Sequence, residues 1–210
     1  MKRYFITGIG TDVGKTIVST ILTESLEADY WKPIQSGDLD YGDRDRVKAL
    51  IKNTKTTFHP EAYRLNTPAS PHYSAEVDGI RIDLNNINIP DTHNNLIIEG
   101  AGGIFVPLNE QETVLDLINK LDIPVILVSR NYLGSINHTM LSINVLKQNN
   151  IEIAGIIFNG EPNAATEKWI LNNSGLKCLA NIDLAENAAD YDFIDKNVKK
   201  YKDIFLKELL

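Results

Sequence analysis

Near its start the chain reads Gly8-Ile9-Gly10-Thr11-Asp12-Val13-Gly14-Lys15-Thr16, set between a short β-branched run and an amphipathic stretch. Few features constrain a fold more tightly. Glycines let successive backbone N–H groups turn toward one point, and the helix that follows adds the positive end of its dipole there, so the loop holds phosphate oxygens. Strand, glycine loop and helix in this order open a βαβ unit. In that setting Lys15 reaches the β- and γ-phosphates of a nucleoside triphosphate, and the Thr16 hydroxyl ligates Mg²⁺. The Gly8–Gly14 interval is one residue longer than the standard Gly-x-x-x-x-Gly spacing, so the loop is a variant.

The rest of the chain keeps to that plan. Short β-branched runs predict strands over Arg3–Thr7, Tyr30–Ile34, Asn95–Ile98, Pro124–Ser129 and Ile153–Phe158. Amphipathic stretches predict helices over Lys15–Glu27, Asp43–Lys52, Thr113–Lys120, Ser135–Asn149, Ala164–Asn173 and Ile194–Leu209. The run Val125-Ile126-Leu127-Val128 is apolar on both faces, as a central strand covered by helices on each side must be. The expected architecture is α/β: one domain over residues 1–210, a doubly wound, mostly parallel sheet with helices on both faces, the P-loop NTPase fold. Thr54–Pro90 is rich in proline and has no clean period, and it reads as a long excursion outside the sheet core.

Composition narrows the function classes. A net charge of −7 argues against a nucleic-acid binder by bulk electrostatics. The one cysteine, Cys178, excludes an intrachain disulfide and a cysteine-built zinc site. His59, His72, His93 and His138 have no metal-ligand spacing. No segment approaches the roughly 18 apolar residues of a membrane span, and the apolar run at the N-terminus is too short for a signal peptide. A soluble, cytoplasmic protein with no membrane or nucleic-acid partner is expected.

Three further positions carry chemistry. Tyr30-Trp31-Lys32-Pro33-Ile34-Gln35-Ser36-Gly37 ends a predicted strand with a lysine, which in a doubly wound sheet points into the ligand crevice. Its compact ammonium suits a small anion such as a carbamate or a phosphoryl group in transfer. Asn95-Leu96-Ile97-Ile98-Glu99-Gly100-Ala101-Gly102-Gly103 ends another strand with a carboxylate, and Glu99 stands where a second Mg²⁺ ligand is wanted. Asp43-Arg44-Asp45 offers a further carboxylate. Spacing to Ala49-Leu50 favours Asp45, with helix capping the competing role for either.

Taken in order, Gly8 to Thr16, Lys32-Pro33 with Ser36-Gly37, Ser70-Pro71-His72, Glu99 to Gly103 with Pro107, Leu133 to His138, and Asn159 resemble the dethiobiotin synthetase family. The resemblance runs from Lys2 to about Asn187. It implies an ATP-dependent ligase in which 7,8-diaminopelargonic acid traps CO₂ (supplied as bicarbonate) as a carbamate. The carbamate attacks the γ-phosphate of MgATP, and the second amine closes the ureido ring. The resemblance makes Lys32, Lys15 and Thr11 catalytic, with Ser36 also at the carbamate. Mg²⁺ falls to Thr16, Asp45 and Glu99. It lays the nucleotide on Asp12, Val13, Gly14, Lys15, Thr16 and Ile17, on Asp45, Glu99, Gly100, Ala101 and Gly102, and its base on Asn159, Gly160, Ile182, Asp183 and Leu184.

The same resemblance implies a homodimer with composite sites, in which Gly134, Ser135, Ile136 and Asn137 of one copy hold the substrate carboxylate for the other. A helix start there, with Ser135 as N-cap, provides the free N–H groups. The chain departs from the family pattern at Ile9-Gly10, at Asp12 in place of the common Glu, and at Ile182-Asp183-Leu184-Ala185-Glu186-Asn187, where a proline is usual. Two other classes share the expected fold. Partition and cell-division ATPases carry a signature lysine where this chain has Gly10, and cobalamin-pathway amide synthetases need a glutaminase domain with a catalytic cysteine.

Overall fold

The computed structural model describes residues 1–184 and 190–210. Its elements run β1 (Arg3–Gly8), α1 (Lys15–Leu26), β2 (Asp29–Trp31), β3 (Ile34–Ser36), α2 (Asp43–Leu50), β4 (Phe58–His59), β5 (Tyr63–Leu65), α3 (Pro71–Val77), β6 (Leu96–Gly103), α4 (Val114–Leu121), β7 (Val125–Ser129), α5 (Ser135–Gln148), β8 (Ile153–Asn159), α6 (Ala164–Ser174), β9 (Cys178–Ile182) and α7 (Tyr191–Leu209). Seven strands form one sheet in the order β4-β2-β6-β1-β7-β8-β9, and every pairing in it is parallel.

Parallel strands need covering on both faces, and the sequence supplies both layers. On one face Val18, Ile21 and Leu22 of α1 share a buried cluster with Ile194, Tyr201 and Phe205 of α7. On the other, Val114, Leu117, Ile118 and Leu121 form the apolar stripe of α4 and pack with Phe5, Trp31 and Ile98. The α4 stripe is held in phase by its first turn, where the Asp116 carboxylate accepts the Thr113 N–H at 2.7 Å. Between the layers, β7 is buried along its whole length, as its apolar run requires.

Four expectations need correction. The predicted strand Tyr30–Ile34 is broken: β2 ends at Trp31 and β3 pairs with β5 in a separate two-stranded sheet. Pro33 has no N–H to continue a ladder, and its carbonyl instead accepts Ala62 N–H at 2.8 Å and Tyr63 N–H at 3.0 Å. The Thr54–Pro90 excursion is not wholly outside the sheet, because β4 forms its edge beside β2. The strand predicted over Asn95–Ile98 continues to Gly103, where it pairs with Gly8. Gly134, at φ 101°, is the N-cap of α5, and Ser135 is the first helical residue.

Candidate active site

The sheet order sets β6 and β1 side by side, so the loops leaving their C-terminal ends meet. A cavity of about 720 Å³ opens there, lined by Thr11, Lys15, Thr16, Lys32, Ser36, Asp43 and Glu99 among others. Residues far apart in sequence thus converge as expected.

The glycine loop is tightly specified. Gly14 sits at φ +92°, and a Cβ there would fall 2.1 Å from Asn159 Nδ2. Only glycine allows that approach. Asn159, buried at the end of β8, donates Nδ2 to the Val13 carbonyl at 3.0 Å. One amide hydrogen thus braces the loop, and the second N–H and Oδ1 are the groups a base would meet. Gly160 N–H donates to the Ile182 carbonyl at 2.8 Å, which sets Asn159, Gly160 and Ile182 together beside the loop. Asp183 and Leu184 follow as exposed residues, and Ala185–Asn187 lie outside the described residues. Asp12 and Ile17 line the cavity, whereas the Val13 side chain is buried in the core and leaves only its backbone for a ligand. Thr11 is exposed at the cavity wall.

At the centre is a charge network. Glu99, 1% exposed, accepts the Thr16 hydroxyl at 2.9 Å and the Lys32 ammonium at 3.2 Å on the same Oε1. Its Oε2 accepts the Tyr30 hydroxyl at 2.9 Å. Lys32 also donates to Asp43. Burial alone would lower the Lys32 pKa, but Glu99 and Asp43 on either side hold it above the ordinary lysine value. Lys15 lacks such close partners: burial draws its pKa below the ordinary value, against the pull of Glu99, and its ammonium donates to the Gly10 carbonyl at 3.0 Å. Burial also disfavours the Asp43 anion, yet Lys32 beside it, with help from Arg46 and the Thr16 hydroxyl, holds its pKa below the usual carboxylate value. Tyr30 is pushed well above the usual phenol value by burial and by Glu99.

The structure corrects the choice between the neighbouring aspartates. Asp45 turns back to accept the Gly42 N–H at 3.1 Å, capping α2, and does not line the cavity; Asp43 does. On the first turn of a helix, residues two apart face different ways, so only one could reach Thr16. Gly100 is fixed as glycine by packing. A Cβ there would fall 2.6 Å from the Phe5 ring, and Ala101 and Gly102 beyond it line the cavity. The Ser36 Oγ, at the cavity wall, is buried and has no hydrogen-bond partner among the described residues.

Gly134, Ile136 and Asn137 line a different cavity, of about 830 Å³, with Tyr132, Thr166 and Trp169. It shares no lining residue with the first. Ser135 is corrected here: 1% exposed, it donates its N–H to the Tyr132 carbonyl at 3.0 Å and points inward. The first bond of the α5 ladder is His138 N–H to the Gly134 carbonyl, so the Ile136 and Asn137 N–H groups precede it.

Sequence reasoning missed two residues. Arg130 donates to the Asp12 carbonyl at 3.1 Å; its position just after the apolar run of β7 was the available signal. Tyr30 lies in β2 two residues before Lys32, and both side chains reach Glu99.

A parallel sheet with a glycine loop, Lys15, Thr16 and a strand-end carboxylate at its crest defines a P-loop nucleoside triphosphatase. Residues 2–190 match a family model described as an AAA domain. The chain is 50% identical over 209 residues to an ATP-dependent dethiobiotin synthetase of Christiangramia forsetii, covering 99% of this chain and 98% of that one. It is 51% identical over 183 residues to the enzyme of the same name from Cytophaga hutchinsonii, covering 87% and 88%. The chain belongs to the dethiobiotin synthetase family. Among solved structures, the cell-division ATPase MinD of Pyrococcus furiosus superposes with TM-score 0.63 at 15% identity, over 99% of this chain and 98% of that one. A plasmid partition protein of Borrelia burgdorferi gives TM-score 0.57 at 15% identity, over 99% and 98%. Those two share the fold.

Proposed function

We propose that this protein, acting as one domain over residues 1–210, converts 7,8-diaminopelargonic acid, CO₂ and ATP into dethiobiotin, ADP and phosphate in the cytoplasm. The observation that carries the reading is the identity to the synthetases along the whole chain, joined to the convergence of Lys15, Lys32, Thr16 and Glu99 on one cavity.

The chemistry explains the residues. A carbamate oxygen and a triphosphate are both anionic, and bringing them into line needs fixed positive charge. Lys15 on the loop faces the phosphates. Lys32, kept protonated by its two carboxylates, stands where the carbamate and the γ-phosphoryl group meet. Thr11 and Ser36 supply hydroxyls to the carbamate. Transfer of the γ-phosphoryl group to the carbamate releases ADP. The second amine then attacks the carbamic-phosphate carbonyl, expels phosphate and closes the ring. Holding both amines beside one acyl phosphate supplies much of the rate through proximity. No protein nucleophile is needed: the exposed Cys178 has its thiol pKa pushed by burial of its sulfur environment to about 11.

Among the described residues no group of three or more His, Cys, Asp or Glu is arranged to hold a metal. The oxygen set of Thr16, Glu99 and Asp43 nevertheless suits Mg²⁺, which takes oxygen ligands and keeps several waters. When bound, Mg²⁺ supplies charge neutralisation to the β- and γ-phosphates. Asp43→Asn is expected to raise the Mg²⁺ concentration for half-maximal turnover at least roughly tenfold. Asp45→Ala should leave that titration unchanged and cost about 0.3–1.5 kcal/mol of stability through the lost cap. Paired Mg²⁺ titrations and thermal melts check both; the reverse pattern would restore Asp45 to the metal.

Phosphate release measured with and without the diamine and bicarbonate tests the reading. Turnover that ignores the diamine would contradict it and favour a switch ATPase responding to a protein, lipid or DNA.

A further inference from the structure

We infer that Tyr30 is a positioning residue for Glu99, fixing the carboxylate so that Oε1 faces the nucleotide's cation and thereby setting how strongly Mg²⁺ and nucleotide binding are coupled. This rests on the reading of Glu99 as a Mg²⁺ ligand.

Tyr30 is fully buried in β2, clamped by pairing with Ile97 of β6 on one side and Phe58 of β4 on the other. Its ring lies 6.0 Å from the Phe58 ring, centre to centre. Packing at such a site is satisfied by a phenylalanine, and a buried hydroxyl costs free energy unless it finds a partner. The partner it finds is Glu99 Oε2, at 2.9 Å.

That bond divides the work of the carboxylate. The terminal torsion of a glutamate is soft and roughly two-fold, so an unrestrained carboxylate presents either oxygen in a range of directions. With Oε2 held by a phenol that two neighbouring strands immobilise, Oε1 is directed to the Thr16 hydroxyl at 2.9 Å and the Lys32 ammonium at 3.2 Å. Thr16 Oγ1 and Glu99 Oε1 are thereby held 2.9 Å apart, two oxygens that would serve together as ligands of Mg²⁺. Tyr30 in β2 and Lys32 just beyond its end address opposite oxygens of the same group. Groups that orient a metal ligand from behind commonly govern affinity by about 10–100-fold.

The test reads binding. Affinity for ADP is measured by calorimetry for the native protein, Tyr30→Phe and Glu99→Gln, each in EDTA and in saturating Mg²⁺. The quantity compared is the enhancement by Mg²⁺ within each protein, from which any general loss of folded protein cancels. Tyr30→Phe is expected to lose roughly 10–100-fold of that enhancement, with EDTA affinity near native. Glu99→Gln should lose at least as much. If Glu99→Gln loses the enhancement and Tyr30→Phe keeps it, Glu99 remains a ligand and the positioning role of Tyr30 is wrong. If both keep it, Glu99 is not a ligand and the inference falls with that reading. If Tyr30→Phe lowers both affinities equally, the hydroxyl serves only packing and the inference is again overturned.

Discussion

Lys32→Gln is expected to slow ligation by roughly 10²–10³ while nucleotide affinity stays near the native value. Removing one charge-assisted contact to an anion that develops in the transition state raises the barrier by about 3–4 kcal/mol. The lysine is 6% exposed and reaches Glu99 and Asp43, away from Asn159 and Ile182 at the other end of the loop. Adenosine binding should therefore not depend on it. A single-turnover assay with the diamine, beside a nucleotide titration, separates the two effects. Near-native ligation by the variant would place Lys32 outside the chemistry.

The second large effect concerns assembly. Gly134, Ile136 and Asn137 lie in a cavity that shares no lining residue with the phosphate site. A long substrate with amines at one end and a carboxylate at the other cannot use both within one chain unless the cavities join. The twofold dimer that the family resemblance implies would join Lys32 of one chain to Asn137 of the partner subunit. Lys32→Ala and Asn137→Ala proteins, each inactive alone, should then recover about a quarter of native activity when unfolded and refolded together. Random pairing makes half the dimers mixed, and each mixed dimer holds one intact site. No recovery despite demonstrated subunit exchange would confine the substrate to one chain.

Legibility in the sequence followed the range of the interaction. The glycine loop, α1 and the buried β7 are local patterns, and they stand where the residues say. Lys32 and Glu99 were also readable, because strand ends in a parallel sheet share one crest. What failed depended on contacts across the chain or on fine rotation about a helix axis. Pro33 ends β2, but its carbonyl had to find Ala62 and Tyr63 before β3 could leave the main sheet. Asp43 and Asp45 are equally good helix-start residues in sequence; only the rotation of α2 decides which faces Thr16 and which caps Gly42. Asn159 was legible as a strand-end amide, but that its Nδ2 also braces Val13 required knowing how closely β8 approaches the loop.

The claim on which the rest depends is that ATP energy is spent on joining one carbon to two nitrogens. Incubation with ATP, Mg²⁺, the diamine and ¹³C-labelled bicarbonate, followed by mass spectrometry of the product and a count of released phosphate, tests it most directly. The expected product is a cyclic urea carrying the label at its carbonyl carbon, formed in equal amount to the phosphate. Phosphate released without labelled product would contradict it.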